Sequence, residues 1–131
     1  MFLQVMNNEE KKKFLEFIYK IANIEGDYAA EEQEIIENYK VELGLSEILD
    51  TSDIEGLINY FSIKTDELKK IILFEIIGLI NADEKIVKEE EELLNKVIVS
   101  FGLESETVEK INTAAKKLQA VYDEIYDVLF D

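Results

Sequence analysis

Apolar positions along the chain recur every three to four residues almost throughout, the period of a helix with one buried face. Phe14, Leu15, Ile18, Ile21 and Ala22 form such a face on a segment entered through Asn7 or Asn8. Asn7 followed by Glu10 has the spacing of a capping box. Ile35, Ile36, Tyr39 and Leu43 mark a second helix, which stops at Gly44, a natural left-handed cap. A weaker stretch carries Ile48 and Leu49. Ile54, Leu57, Ile58 and Phe61 line the next helix, with Ser52 or Asp53 as its cap. Thr65 or Asp66 then opens the most apolar helix. There Ile71, Ile72, Leu73, Phe74, Ile76, Ile77, Leu79 and Ile80 are spread nearly all round, as in a helix central to its domain.

Another helix runs from about Val87 to Phe101 and stops at Gly102. The last, about 105–130, places Val108, Ile111, Ala115, Leu118, Val121, Ile125 and Leu129 along one stripe. No proline interrupts these segments, and no strand-like alternation lasts beyond Phe2 to Met6. The expected fold is all-α: a compact multi-helix bundle of about seven helices in a single domain over 1–131. Gly56 and Gly78 fall inside helices, where glycine costs about 1 kcal/mol against alanine. Close helix packing is the expected reason for both.

The chain also matches itself. Ile21 to Leu45 aligns without a gap on Leu79 to Leu103: Asn23 falls on Asn81, Glu25 on Asp83, Tyr28 on Ile86, Glu32 on Glu90, and Gly44-Leu45 on Gly102-Leu103. Each unit is an apolar helix, a short acidic loop, a glutamate-rich helix start, an apolar stripe and a Gly-Leu stop. Duplication of a helical hairpin accounts for the match of both loop and stop. The repeats span about 8–45 and about 66–103, and two such hairpins are expected to pack about a pseudo-two-fold axis.

This pattern of apolar helix, acidic residue, glycine, apolar residue and then glutamate a turn later resembles the TerB family of tellurite-resistance proteins, whose module also occurs in some DnaJ-like proteins. It reads Ala22-Asn23-Ile24-Glu25-Gly26-Asp27-Tyr28 and onward to Glu32, then Ala82-Asp83-Glu84-Lys85-Ile86 and onward to Glu90. Glu25 stands for the usual aspartate, Glu84 for the second glycine, and Ala29 and Val87 for the common Ser or Thr cap. The resemblance implies a non-enzymatic module in tellurite or metal stress that works through protein partners.

Composition narrows the chemistry. The 131 residues contain no cysteine, histidine, proline or tryptophan, and 14 basic residues face 30 acidic ones for a net charge of −16. Disulfides, zinc and haem sites and histidine-based catalysis are excluded. Every basic residue is a lysine, so no arginine can clamp a phosphate, and the acidic excess argues against nucleic acid. No segment marks export or membrane insertion, since the apolar run Ile71 to Ile80 is short and carries Glu75. A cytoplasmic protein is expected, with any metal held by oxygen ligands.

Glu32 precedes Ile35 and Ile36 by three and four positions, and Glu90 stands in the same relation to Leu93 and Leu94. Both carboxylates are therefore expected on the buried stripe. First-turn capping explains them, contributing about 0.3–1 kcal/mol each. Joined by Glu25, Asp27 and Asp83, they would instead make an oxygen-ligand set for a divalent cation, Ca²⁺ or Mg²⁺. An EF-hand is excluded, because Tyr28 takes the glycine place of the first loop and Lys85 a ligand place of the second. Glu75 is expected on a solvent-facing position of its apolar helix; if buried, its pKa should rise unless a cation compensates. Tyr122, Tyr126 and Phe130, with Leu129, add an apolar strip to the last helix. Core packing would cover that strip, and a partner groove would fit it too.

Overall fold

Asn7 opens the first helix through a reciprocal box. Its side chain accepts the Glu10 N–H at 2.8 Å, while Glu10 Oε1 accepts the Asn7 N–H at 2.9 Å. The structure is a computed structural model that describes residues 2–24, 30–81 and 87–131, with backbone alone at 30 and 31. A 3-10 turn, Leu3–Val5, precedes six helices: α1 Asn8–Ala22, α2 Ala30–Leu43, α3 Ile54–Ser62, α4 Asp66–Asn81, α5 Lys88–Phe101 and α6 Ser105–Phe130. Among the described residues there is no strand, so the fold is an all-α bundle.

The two Gly-Leu stops act as the sequence requires. Gly44 adopts φ 70° and Gly102 φ 63°, in the left-handed region that strains any side chain. Leu45 N–H reaches Lys40 O at 2.9 Å and Gly44 N–H reaches Val41 O at 3.2 Å, the paired bonds of a Schellman motif. Gly102 N–H is shared between Ile98 O and Val99 O. At the start of α3, the Asp53 carboxylate accepts the Gly56 N–H at 2.7 Å. A Cβ on Gly56 would stand 3.0 Å from that same oxygen. Gly56 thus makes room for a cap rather than for a neighbouring helix. Helix packing fails as the reason for Gly78 as well: a Cβ there would meet nothing within 4 Å among the described residues, and the structure supplies no other.

One buried cluster joins the elements. Phe14, Phe17 and Ile18 of α1, Leu57 and Phe61 of α3, Ile72, Leu73 and Ile76 of α4, and Val97 of α5 are essentially inaccessible. The apolar α4 is central as expected, packing on α1, α3, α5 and α6, while α1 also packs on α2.

Among the described residues six helices and one 3-10 turn come close to the expected seven helices. The weaker stretch with Ile48 and Leu49 is not a helix. Its backbone bonds to α1 instead. Glu16, fully buried, accepts Thr51 N–H at 2.6 Å and Ser52 N–H at 2.9 Å. Lys13 Nζ donates to Ser52 Oγ at 3.0 Å, and Lys20 pairs with Asp50 at 2.7 Å. Residues 13, 16 and 20 share one helical face, so α1 presents a polar ladder that holds the irregular segment down. The core also fails to cover α6. At 1.5 Å per residue its 26 residues span about 39 Å, against about 24 Å for the 16 of α4. Val108, Ile111 and Leu118 are half-buried and Ala115 is buried, whereas every residue from 119 to 130 is exposed.

Candidate functional site

The outer half of α6 is the most unusual surface of the molecule. Val121 is 49 % exposed, Tyr126 64 %, Leu129 66 %, Phe130 70 % and Val128 77 %. Tyr126 and Phe130 lie one turn apart with ring centroids at 4.9 Å. A shallow groove on the same half is lined by Val121, Glu124, Ile125, Val128 and Leu129. Acidic side chains at Asp123, Glu124 and Asp127 border this apolar surface, and Lys116 and Lys117 precede it. Large apolar side chains clustered inside a polar rim are what a protein-contact surface looks like before its partner arrives.

The five proposed cation ligands divide. Glu25, Asp27 and Asp83 lie outside the described residues. Glu90 is buried, as expected from its place on the stripe, and Glu32 is half-buried. Glu90 Oε1 accepts the Val87 N–H at a long 3.5 Å. Val87 has no side-chain acceptor to complete the box, so this is the half of a capping box that a glutamate can make alone. Among the described residues, no group of three or more carboxylates gathers as a cation would require.

Glu75 departs from its expected solvent-facing position. It is buried on α4 and accepts the Tyr39 hydroxyl from α2 at 2.5 Å. Burial pushes the Tyr39 phenol far above its ordinary range, and the Glu75 charge pushes in the same direction. At the surface, burial and the bond that Tyr60 donates to Glu9 likewise raise the Tyr60 phenol. The hydrogen bond to Asp50 raises Lys20. These groups hold protons tightly, the opposite of a base poised near neutrality.

A cleft of about 840 Å³ lies between the C-terminal end of α1 and the 45–53 segment. Its charged lining is engaged in the fold: Lys20 with Asp50, Asp53 with the α3 amide, and Glu55 with Lys96. Glu16 and its ladder were not marked by the sequence. Their one trace is a lone charge inside the run Phe14-Leu15-Glu16-Phe17-Ile18. No helix among the described residues is long and apolar enough to cross a membrane. Compared with protein-family models, with curated proteins and with solved structures, the chain matches none of them.

Proposed function

We propose that this chain is a non-enzymatic, TerB-like helical module that acts through protein contacts in the response to tellurite or other metal stress. One observation carries the contact role: the apolar outer half of α6, with Tyr126, Val128, Leu129 and Phe130 each more than half exposed. The stress setting rests on the duplicated acidic hairpin motif alone. A non-enzymatic role agrees with the absence of cysteine and histidine and with the engagement of Glu75 by Tyr39. Capping geometry at Glu90 leaves the cation alternative without a specific observation in its favour among the described residues.

The test is complementation of source cells that lack the gene, grown under tellurite. The native chain should restore growth. A Tyr126→Asp, Leu129→Asp variant, shown by circular dichroism to keep its helix content, should not. Equal rescue by both would remove the contact reading, and no rescue by either would remove the stress setting.

A further inference from the structure

We infer that residues 45–52 form a strap that opens as one unit on a body that stays folded, with the Glu16 carboxylate as its latch. Among the described residues, no backbone–backbone hydrogen bond involves residues 46–52, and none of residues 44–53 is buried. The buried core passes from Leu43 to Leu57 without using the segment, of which only Leu45 and Ile48 rest against it. Segments with few buried contacts and little backbone bonding of their own are the ones that open at low free energy.

The helices on either side are closed without the strap. Gly44, at φ 70°, and the bonds of the Gly44 and Leu45 N–H groups back into α2 finish that helix. Asp53 starts α3 by accepting the Gly56 N–H. Neither terminus depends on an atom of 46–52, so the segment can leave without unravelling its neighbours.

Polar attachment is concentrated at Asp50, Thr51 and Ser52, which run antiparallel along α1 past Lys20, Glu16 and Lys13. The Lys20 pair reaches an aspartate that is 88 % exposed, where an ion pair holds little. Glu16 differs. Its carboxylate is fully buried and accepts the Thr51 N–H, the Ser52 N–H and, at 3.3 Å, the Thr51 hydroxyl. A buried charge stripped of part of its donor set is costly. Half-release is therefore disfavoured, and both amides let go together as water reaches the carboxylate. Ile48, Leu49 and Asp50 form one side of the cleft whose other side includes Tyr19, Lys20 and Asn23 of α1. Opening the strap removes that first wall, which makes the strap the lid of the cleft.

Amide hydrogen exchange of the full chain, read residue by residue by NMR in urea below the unfolding transition, tests the device. The Thr51 and Ser52 amides should exchange faster than those of Ile18 and Leu73 in the core. Their rates should hardly respond to urea, because a small opening exposes little surface. Ile72→Val, a change in the core of α4, should speed Ile18 and Leu73 and leave Thr51 and Ser52 as they were, since both positions of the strap keep the core. Glu16→Gln retains one acceptor oxygen and should speed Thr51 and Ser52 by about tenfold to a hundredfold, the strength of hydrogen bonds to a charge.

Thr51 and Ser52 amides that share the rates and urea dependence of the core overturn the inference. So does their acceleration together with the core in Ile72→Val. Unchanged exchange at both amides in Glu16→Gln removes the latch. A Glu16→Gln chain that fails to fold also overturns the inference, because a strap that opens freely would release the glutamine to water and leave the helices standing.

Discussion

A half-buried phenol 2.5 Å from a buried carboxylate gives up its proton late. Below about pH 10, tyrosine is protonated in both the folded and the unfolded chain, and the Tyr39–Glu75 pair contributes in full. Above that, the unfolded chain loses the proton while the fold retains it. The unfolded state then binds fewer protons, so stability falls as pH rises toward the folded pKa. Tyr60 and Lys20, both raised, act in the same direction. Urea midpoints should therefore drop between about pH 8 and about pH 11, and drop less in Tyr39→Phe, which has no such proton to lose. Identical slopes would show that Tyr39 is not responsible. Both partners were visible in the sequence, Tyr39 on a stripe and Glu75 inside an apolar run. Their meeting was not, because a helix apolar nearly all round gives no sign of which side its single charge faces.

Helix ends were legible for a definite reason. Asn7 with Glu10, Asp53, Gly44 and Gly102 are residue types whose side chain, or lack of one, satisfies a terminus directly, and the structure uses each in that way. Segment 45–53 carries no such signature. What it offers Glu16 is the backbone N–H of Thr51 and Ser52, a group nearly every residue has, and its isoleucine and leucine imitated a weak helix. Glu16→Ala should remove the acceptor for both amides and leave Lys13 and Lys20 to hold the segment, costing about 1–3 kcal/mol. Glu16→Gln keeps one carbonyl oxygen and should cost less. Denaturant midpoints at unchanged m-value would measure this, and a neutral Glu16→Ala would mean the segment is held by Ile48 and its neighbours instead. The end of α6 was illegible for a related reason. Its stripe keeps the same period where it packs on α4 and where it projects, so periodicity reports an apolar face without reporting what covers it.

The all-α bundle followed from period alone, because a stripe must be buried somewhere and the stripes of the described helices, except the outer half of α6, bury one another. The expected duplication is a different matter, since the acidic stretches of its sequence match include Glu25, Asp27 and Asp83, outside the described residues. Charge acts at this same scale. With 30 acidic residues against 14 lysines, ion pairing cannot neutralise the surface even if every lysine is paired. Pairs such as Lys88–Glu92 and Lys110–Glu106 are exposed, and each is worth about 0–1 kcal/mol. Salt weakens those pairs and also weakens repulsion among the surplus carboxylates. Repulsion should dominate, because its range is long: the screening length is about 30 Å at 0.01 M salt, wider than the roughly 14 Å radius of gyration of a domain this size, and about 8 Å at 0.15 M. Raising sodium chloride across that interval should therefore raise Tm, by roughly 3–6 °C for each kcal/mol of repulsion removed. Protein concentration must be held fixed, because self-association adds its own mass-action stabilisation. A Tm that falls with salt would mean that the few lysine pairs, rather than the acidic surplus, govern the electrostatics of the fold.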